Sequence, residues 1–220
     1  MKIDSENGAR QILRRVGIAL ITLGVLDIGV MVYCIIRRVS YSSSFNIFAV
    51  ISGVYIWRGH PWYVRWVTRA AAFFCTAFAM ALLVFPFLVP FDLAVLEVKL
   101  HPVEVALSST LTVGLIVFLM WVYRELRTDN VIDAYEAKDL PRAPPKAAFL
   151  AGAGLVVVIV AAFRLIALSG VEQKAVDLAK AQSGPSYRYW VSNFSASGDH
   201  GRAVVLAYDD ETVRPVHVEW

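Results

Sequence analysis

The chain has 220 residues, 58% of them hydrophobic and 18% charged, with a formal net charge of +3 and a positive mean hydropathy. Soluble domains sit nearer roughly half apolar and a quarter charged, so this balance excludes an ordinary soluble protein and predicts a membrane protein. No run of Lys and Arg interleaved with aromatics points to nucleic acid. The cysteines, Cys34 and Cys75, lie in apolar stretches without the spacing of a disulfide framework or zinc site.

Residues 1–15 are polar and basic, with Lys2, Arg10, Arg14 and Arg15, and read as a cytoplasmic anchor for a first span over 16–36. The apolar core of that span is too long for a cleavable signal peptide. Asp27 lies near its middle, where an acidic side chain costs about 2.5–3.5 kcal/mol on insertion scales. The favoured role is a packing residue, protonated or hydrogen-bonded to Thr22, Thr76 or the hydroxyls of 108–112, which include Ser109 and Thr112. The competing role is an intramembrane ion or proton site.

A second apolar run, 45–57, is short for a crossing, so the expected span is 39–57, with a re-entrant or interfacial segment as the alternative. Residues 58–69 then combine Arg58, Arg65 and Arg69 with Tyr63, Trp62 and Trp66, directly after Trp57. Aromatic rings at headgroup level beside positive charge are the chemistry of a cytoplasmic membrane interface. A third span over 70–89 follows, kinked or stopped by Pro86 and Pro90. Residues 91–102 set Leu96, Val98 and Leu100 against Glu97, Lys99 and His101, a pattern open to a short strand or an interfacial amphipathic helix.

The fourth span is 103–123. A basic segment broken by Pro141, Pro144 and Pro145 leads to the fifth, 147–169, which carries Arg164 near its outer end. That arginine is expected to snorkel to the headgroups. Gly17 with Gly24, Ala77 with Ala81, and Ala148 with Gly152 are small enough to let helices approach closely. With five spans starting inside, twelve basic residues fall in inside segments and three in outside loops, which places the C-terminus outside. If 39–57 does not cross, the even number of spans places it inside.

Residues 171–220 read as one helix (171–182) ended by Gly184 and Pro185, then strands over 187–194, 202–208 and 213–220. A three-stranded meander backed by one helix buries a single face. Tyr187, Tyr189, Trp190 and Trp220 are therefore assigned to an interaction surface, resting on the membrane or binding a partner, with core packing accounting for at least half of them; the small tail is expected to lean on the bilayer surface, on residues 91–102 or on a partner. His200, His217 and Asp199 are too few for a metal site, and 209–211 reads as a solvated acidic hairpin tip.

The expected fold is thus mainly α: a polytopic membrane bundle of about five spans over 16–169 and a small extracytoplasmic α+β domain over 171–220. The favoured function is a bacterial-type inner-membrane accessory protein, in contact with lipid, that binds another envelope protein or a further copy of itself. Its role would be assembly, regulation or immunity, with no cofactor, metal or nucleic acid. The alternative is a small transporter or channel centred on Asp27. No nucleophile elbow, phosphate loop or carboxylate pair appears, so an enzyme is the less favoured class.

Overall fold

A computed structural model describes residues 2–37, 45–136, 142–167, 170–197 and 200–220. The 39–44 extension of the second run, residues 168–169 and Asp199 lie outside them. The described elements are α1 (Lys2–Arg37), α2 (Phe45–Trp57), α3 (Pro61–Leu88), α4 (Phe91–Leu100), α5 (Pro102–Leu126), α6 (Asp129–Tyr135), α7 (Lys146–Ala167) and α8 (Val171–Ser183). The strands β1 (Arg188–Ser197), β2 (His200–Tyr208) and β3 (Val213–Glu219) follow. Asn7–Arg37, Pro61–Phe85, Pro102–Leu126 and Lys146–Leu165 are each long and apolar enough to cross a bilayer, the pattern of a multi-pass membrane protein. α2 is apolar but only 13 residues long, short of the roughly 20 a crossing needs.

The chain forms two compact units, Met1–Ala77 with Gly114–Gly152, and Phe78–Val113 with Ala153–Trp220. In the first, α1 packs along α2 at a pair of glycines. A Cβ on Gly17 would stand 2.7 Å from the Gly53 carbonyl oxygen, and one on Gly53 equally close to that of Gly17, so only glycine permits this backbone approach. Leu13, Val16, Ile56, Val64, Val122 and Leu126 are fully buried around them. The segment expected to be a proline-broken loop also contributes: α6 buries Val131, Ile132 and Tyr135 and packs on α1. The Tyr135 hydroxyl donates to the Gly59 carbonyl at 2.9 Å, fixing the α2–α3 turn where Gly59 takes φ 72°.

In the second unit, residues 91–100 are helical. Leu93 and Leu96 are its buried residues, one helical turn apart, so the three-residue spacing prevails over the alternation at 96–100. The sheet is an antiparallel meander in the order β1-β2-β3. One face meets α8, where Ala203, Val205 and Val218 pack with Ala175 and Ala179. On the other face Trp190, Leu206, Tyr208 and Val213 pack with Leu93 and Leu96. Both faces are therefore covered, one by α8 and the other by α4, within the 91–102 segment that was one of the supports expected for the tail. A register shift between Val191 and Asn193 accompanies this. The extra residue, Ser192, resets the alternation so that Phe194 joins Tyr189 and Val191 on the α8 side. A tail of about 50 residues is marginal alone, and α4 supplies its third layer.

Candidate functional site

The intramembrane polar residues divide between the units. Asp27, half-buried on α1, and Thr76 on α3 belong to the first; Ser109 and Thr112 on α5 belong to the second. Thr76 Oγ1 donates to the Ala72 carbonyl at 2.9 Å, and Thr112 Oγ1 to that of Ser108 at 2.9 Å. Each hydroxyl thus bonds the preceding turn of its own helix, the usual resolution for threonine in an apolar helix. Ser109 is exposed.

The interfacial aromatic and basic residues prove to be helical. α3 begins at Pro61 rather than at 70, with proline at a first-turn position that needs no N–H. Val64, Val67, Thr68, Ala71, Ala72 and Cys75 are buried at helical spacing. Trp62, Arg65, Trp66 and Arg69 repeat that spacing along a second, more exposed stripe, with the indoles of Trp62 and Trp66 6.5 Å apart. Trp57 ends α2 and Arg58 enters the turn, where Tyr55 stacks on Tyr63 at 4.1 Å.

The aromatics of the tail make contacts inside the chain. Tyr189 packs toward α8 and its hydroxyl donates to the Gly184 carbonyl; partial burial, with Tyr187 close by, pushes its phenol pKa up. Trp190 packs toward α4, and Tyr187 is half-buried just before β1. Trp220 lies over Gly201, where a Cβ would stand 2.3 Å from Trp220 Cζ2. The two residues exchange backbone hydrogen bonds of 2.8 and 2.9 Å, and Lys174 Nζ sits 5.7 Å over the indole. Arg188 joins α4 to the β2–β3 turn by pairing with Asp92 at 2.6 Å and with Asp210.

Four separated stretches of the second unit enclose a cleft of about 300 Å³. Phe85 from α3, Phe163 from α7, and Trp190 and Phe194 from β1 give it aromatic walls, while Arg164 and Glu172 bring one charge of each sign. Arg164 Nη2 donates to the Phe87 carbonyl at 3.1 Å. That carbonyl belongs to the last turn of α3, which has no partner within its own helix, so the arginine, for which snorkelling or a carboxylate partner was expected, caps a helix end. Ser192, the bulge residue, lines the cleft and donates to the Val204 carbonyl at 3.0 Å. Such a cleft suits an apolar or aromatic side chain flanked by a polar group. Sequence reasoning found Arg164 and Trp190 individually but had no local signal joining them to Phe85, Phe163 and Glu172.

No family model matches the chain, and no curated protein or solved structure matches it.

Proposed function

We propose that this protein is an inner-membrane accessory subunit that binds another envelope protein through the cleft of its C-terminal unit. The cleft is the observation that carries the reading. Aromatic residues and arginine dominate binding hot spots because they bury large surfaces while keeping polar specificity. One wall of the cleft is held within the chain: Trp190 packs with Leu93 and Leu96 of α4. A preordered site loses less conformational freedom on binding. The distribution of basic residues supports a cytoplasmic N-terminus; the C-terminal unit then lies outside the cytoplasm where 39–57 crosses as a fifth span, and inside where only the four long helices cross. The partner would present an aromatic or aliphatic side chain beside a polar group at the membrane surface.

The test is co-purification from native membranes in gentle detergent, comparing the wild type with Glu172→Arg and Phe163→Ala at equal membrane levels. A stoichiometric partner should be lost from both variants. A partner retained by both would place binding elsewhere, and no partner in the wild type would contradict the reading.

The half-buried carboxylate of Asp27 supports a second reading, a small proton or cation conductor. Asp27→Asn would then abolish ion flux in proteoliposomes while leaving co-purification unchanged. Equal flux in variant and wild type would remove this reading.

A further inference from the structure

In the first unit, residues from α1, α2, α3, α5 and α7 enclose a cavity of about 610 Å³. Its floor includes the buried side chains of Leu20, Ala49, Ala71 and Val122, and its rim includes the exposed Trp66 and Arg69. The volume lies in the roughly 300–1,000 Å³ range of small-molecule sites. Water is a poor occupant of so apolar a space, because it would find few of the two to four polar partners it needs. In a bilayer the available filler is hydrocarbon.

The rim carries the opposite chemistry. Arg69 lies eight residues into α3 from Pro61, about 12 Å along the axis. Among the described residues neither Arg69 nor Arg65, one turn away on the same stripe, forms an ion pair. A guanidinium at the edge of an apolar cavity is best satisfied by an anion that can approach from the headgroup region. A phosphate does this bidentately. Trp66 adds an indole with an apolar body and a polar N–H, the side chain favoured at the level of the lipid backbone.

We propose that this cavity is a binding site for an anionic phospholipid, with an acyl chain against the Leu20, Ala49, Ala71 and Val122 floor and the phosphate on Arg69, assisted by Arg65. Basic pockets between transmembrane helices capture anionic headgroups by the same combination of charge and apolar depth. The site does not depend on the partner cleft, and either can fail without the other.

The full-length protein in mild detergent is titrated with palmitoyl-oleoyl phosphatidylglycerol or the matching phosphatidylcholine, and bound lipid is counted by native mass spectrometry. The wild type should hold one phosphatidylglycerol about tenfold more tightly than phosphatidylcholine. Arg69→Gln should bring the two lipids close to parity, and Arg69→Lys should keep part of the preference because charge remains while the planar fork is lost. Ala49→Phe, which fills the floor, should lower the binding of both lipids. Millimolar inorganic phosphate or glycerol phosphate should displace neither lipid; displacement would assign the site to a free phosphate and overturn the proposal. Equal affinity for both lipids in the wild type would also overturn it. So would an undiminished preference in Arg69→Gln, a rim substitution that leaves the apolar floor unchanged.

Discussion

Asp209 closes the β2–β3 hairpin by accepting the backbone N–H of Glu211 at 2.8 Å and of Thr212 at 2.6 Å, with the Thr212 hydroxyl at 3.2 Å. Those backbone bonds favour the charged carboxylate and hold its pKa below the ordinary 3.8. A carboxylate depressed in the folded state stabilises fully above its unfolded pKa and loses that contribution as pH falls through the folded value. Amide exchange at Glu211 and Thr212, followed by NMR from pH 6 downward, should therefore hold its protection to near the ordinary 3.8 and lose it below. Asp209→Asn, which keeps an acceptor oxygen and removes the titration, should flatten that loss; an unchanged pH profile would contradict the turn's dependence on this charge. Gly152 is a second residue whose identity is set by one contact. A Cβ there would stand 2.4 Å from the Phe73 carbonyl oxygen, whereas one at Gly154 meets nothing within 4 Å. Gly152→Leu should lower stability in detergent by roughly 1–3 kcal/mol, and Gly154→Leu should leave it near wild type. Equal melting temperatures for the two variants would refute the close approach. The small-residue pattern of Ala148 and Gly152 was visible in the sequence, but the pairing of Gly17 with Gly53 was not, because residues three and four apart report a helix face and never name the helix it meets.

Among the elements, α4 decides how the tail is built. Leu93 and Leu96 are 2% and 5% exposed beneath the second face of the sheet, so truncating either removes apolar contacts that no other described segment replaces. Leu93→Ala should cost about 2–5 kcal/mol within the C-terminal unit. Hydrogen exchange should rise across β1, β2 and β3 while the α1 and α2 amides keep their protection; uniform or absent change would contradict the packing. The segment was among the supports expected for the tail, but its helical form was hidden in the sequence because Leu96, Val98 and Leu100 alternate like a strand while Leu93 and Leu96 repeat like a helix. Only the sheet across from them selects between the two. α6 was overlooked for a related reason: prolines and charges dominate its flanks, and the buried trio Val131, Ile132 and Tyr135 spans little more than one turn. The start of α3 was legible after the fact. Pro61 is a first-turn proline, and Val64, Val67, Thr68 and Ala71 continue one face, but the arginines on the other face resemble a loop.

For the whole molecule, composition and hydropathy were sufficient to identify a multi-pass helical protein, because apolar runs near 20 residues answer directly to bilayer thickness. The three strands were legible for a similar reason, since β-branched and aromatic residues bounded by turn chemistry need no tertiary context. The cleft was not. Phe85, Phe163, Glu172 and Trp190 come from segments scattered over half the chain, and their convergence is a property of packing. The proposed function rests on that convergence, so the most direct measurement is site-specific photo-crosslinking in native membranes. A photoreactive amino acid replaces Phe163, 54% exposed in the cleft, and in a control replaces Leu150, 73% exposed on α7. The account predicts a discrete protein adduct from position 163 that Glu172→Arg removes, and only lipid adducts from position 150. Lipid adducts alone from both positions, or an adduct at 163 indifferent to Glu172→Arg, would contradict it.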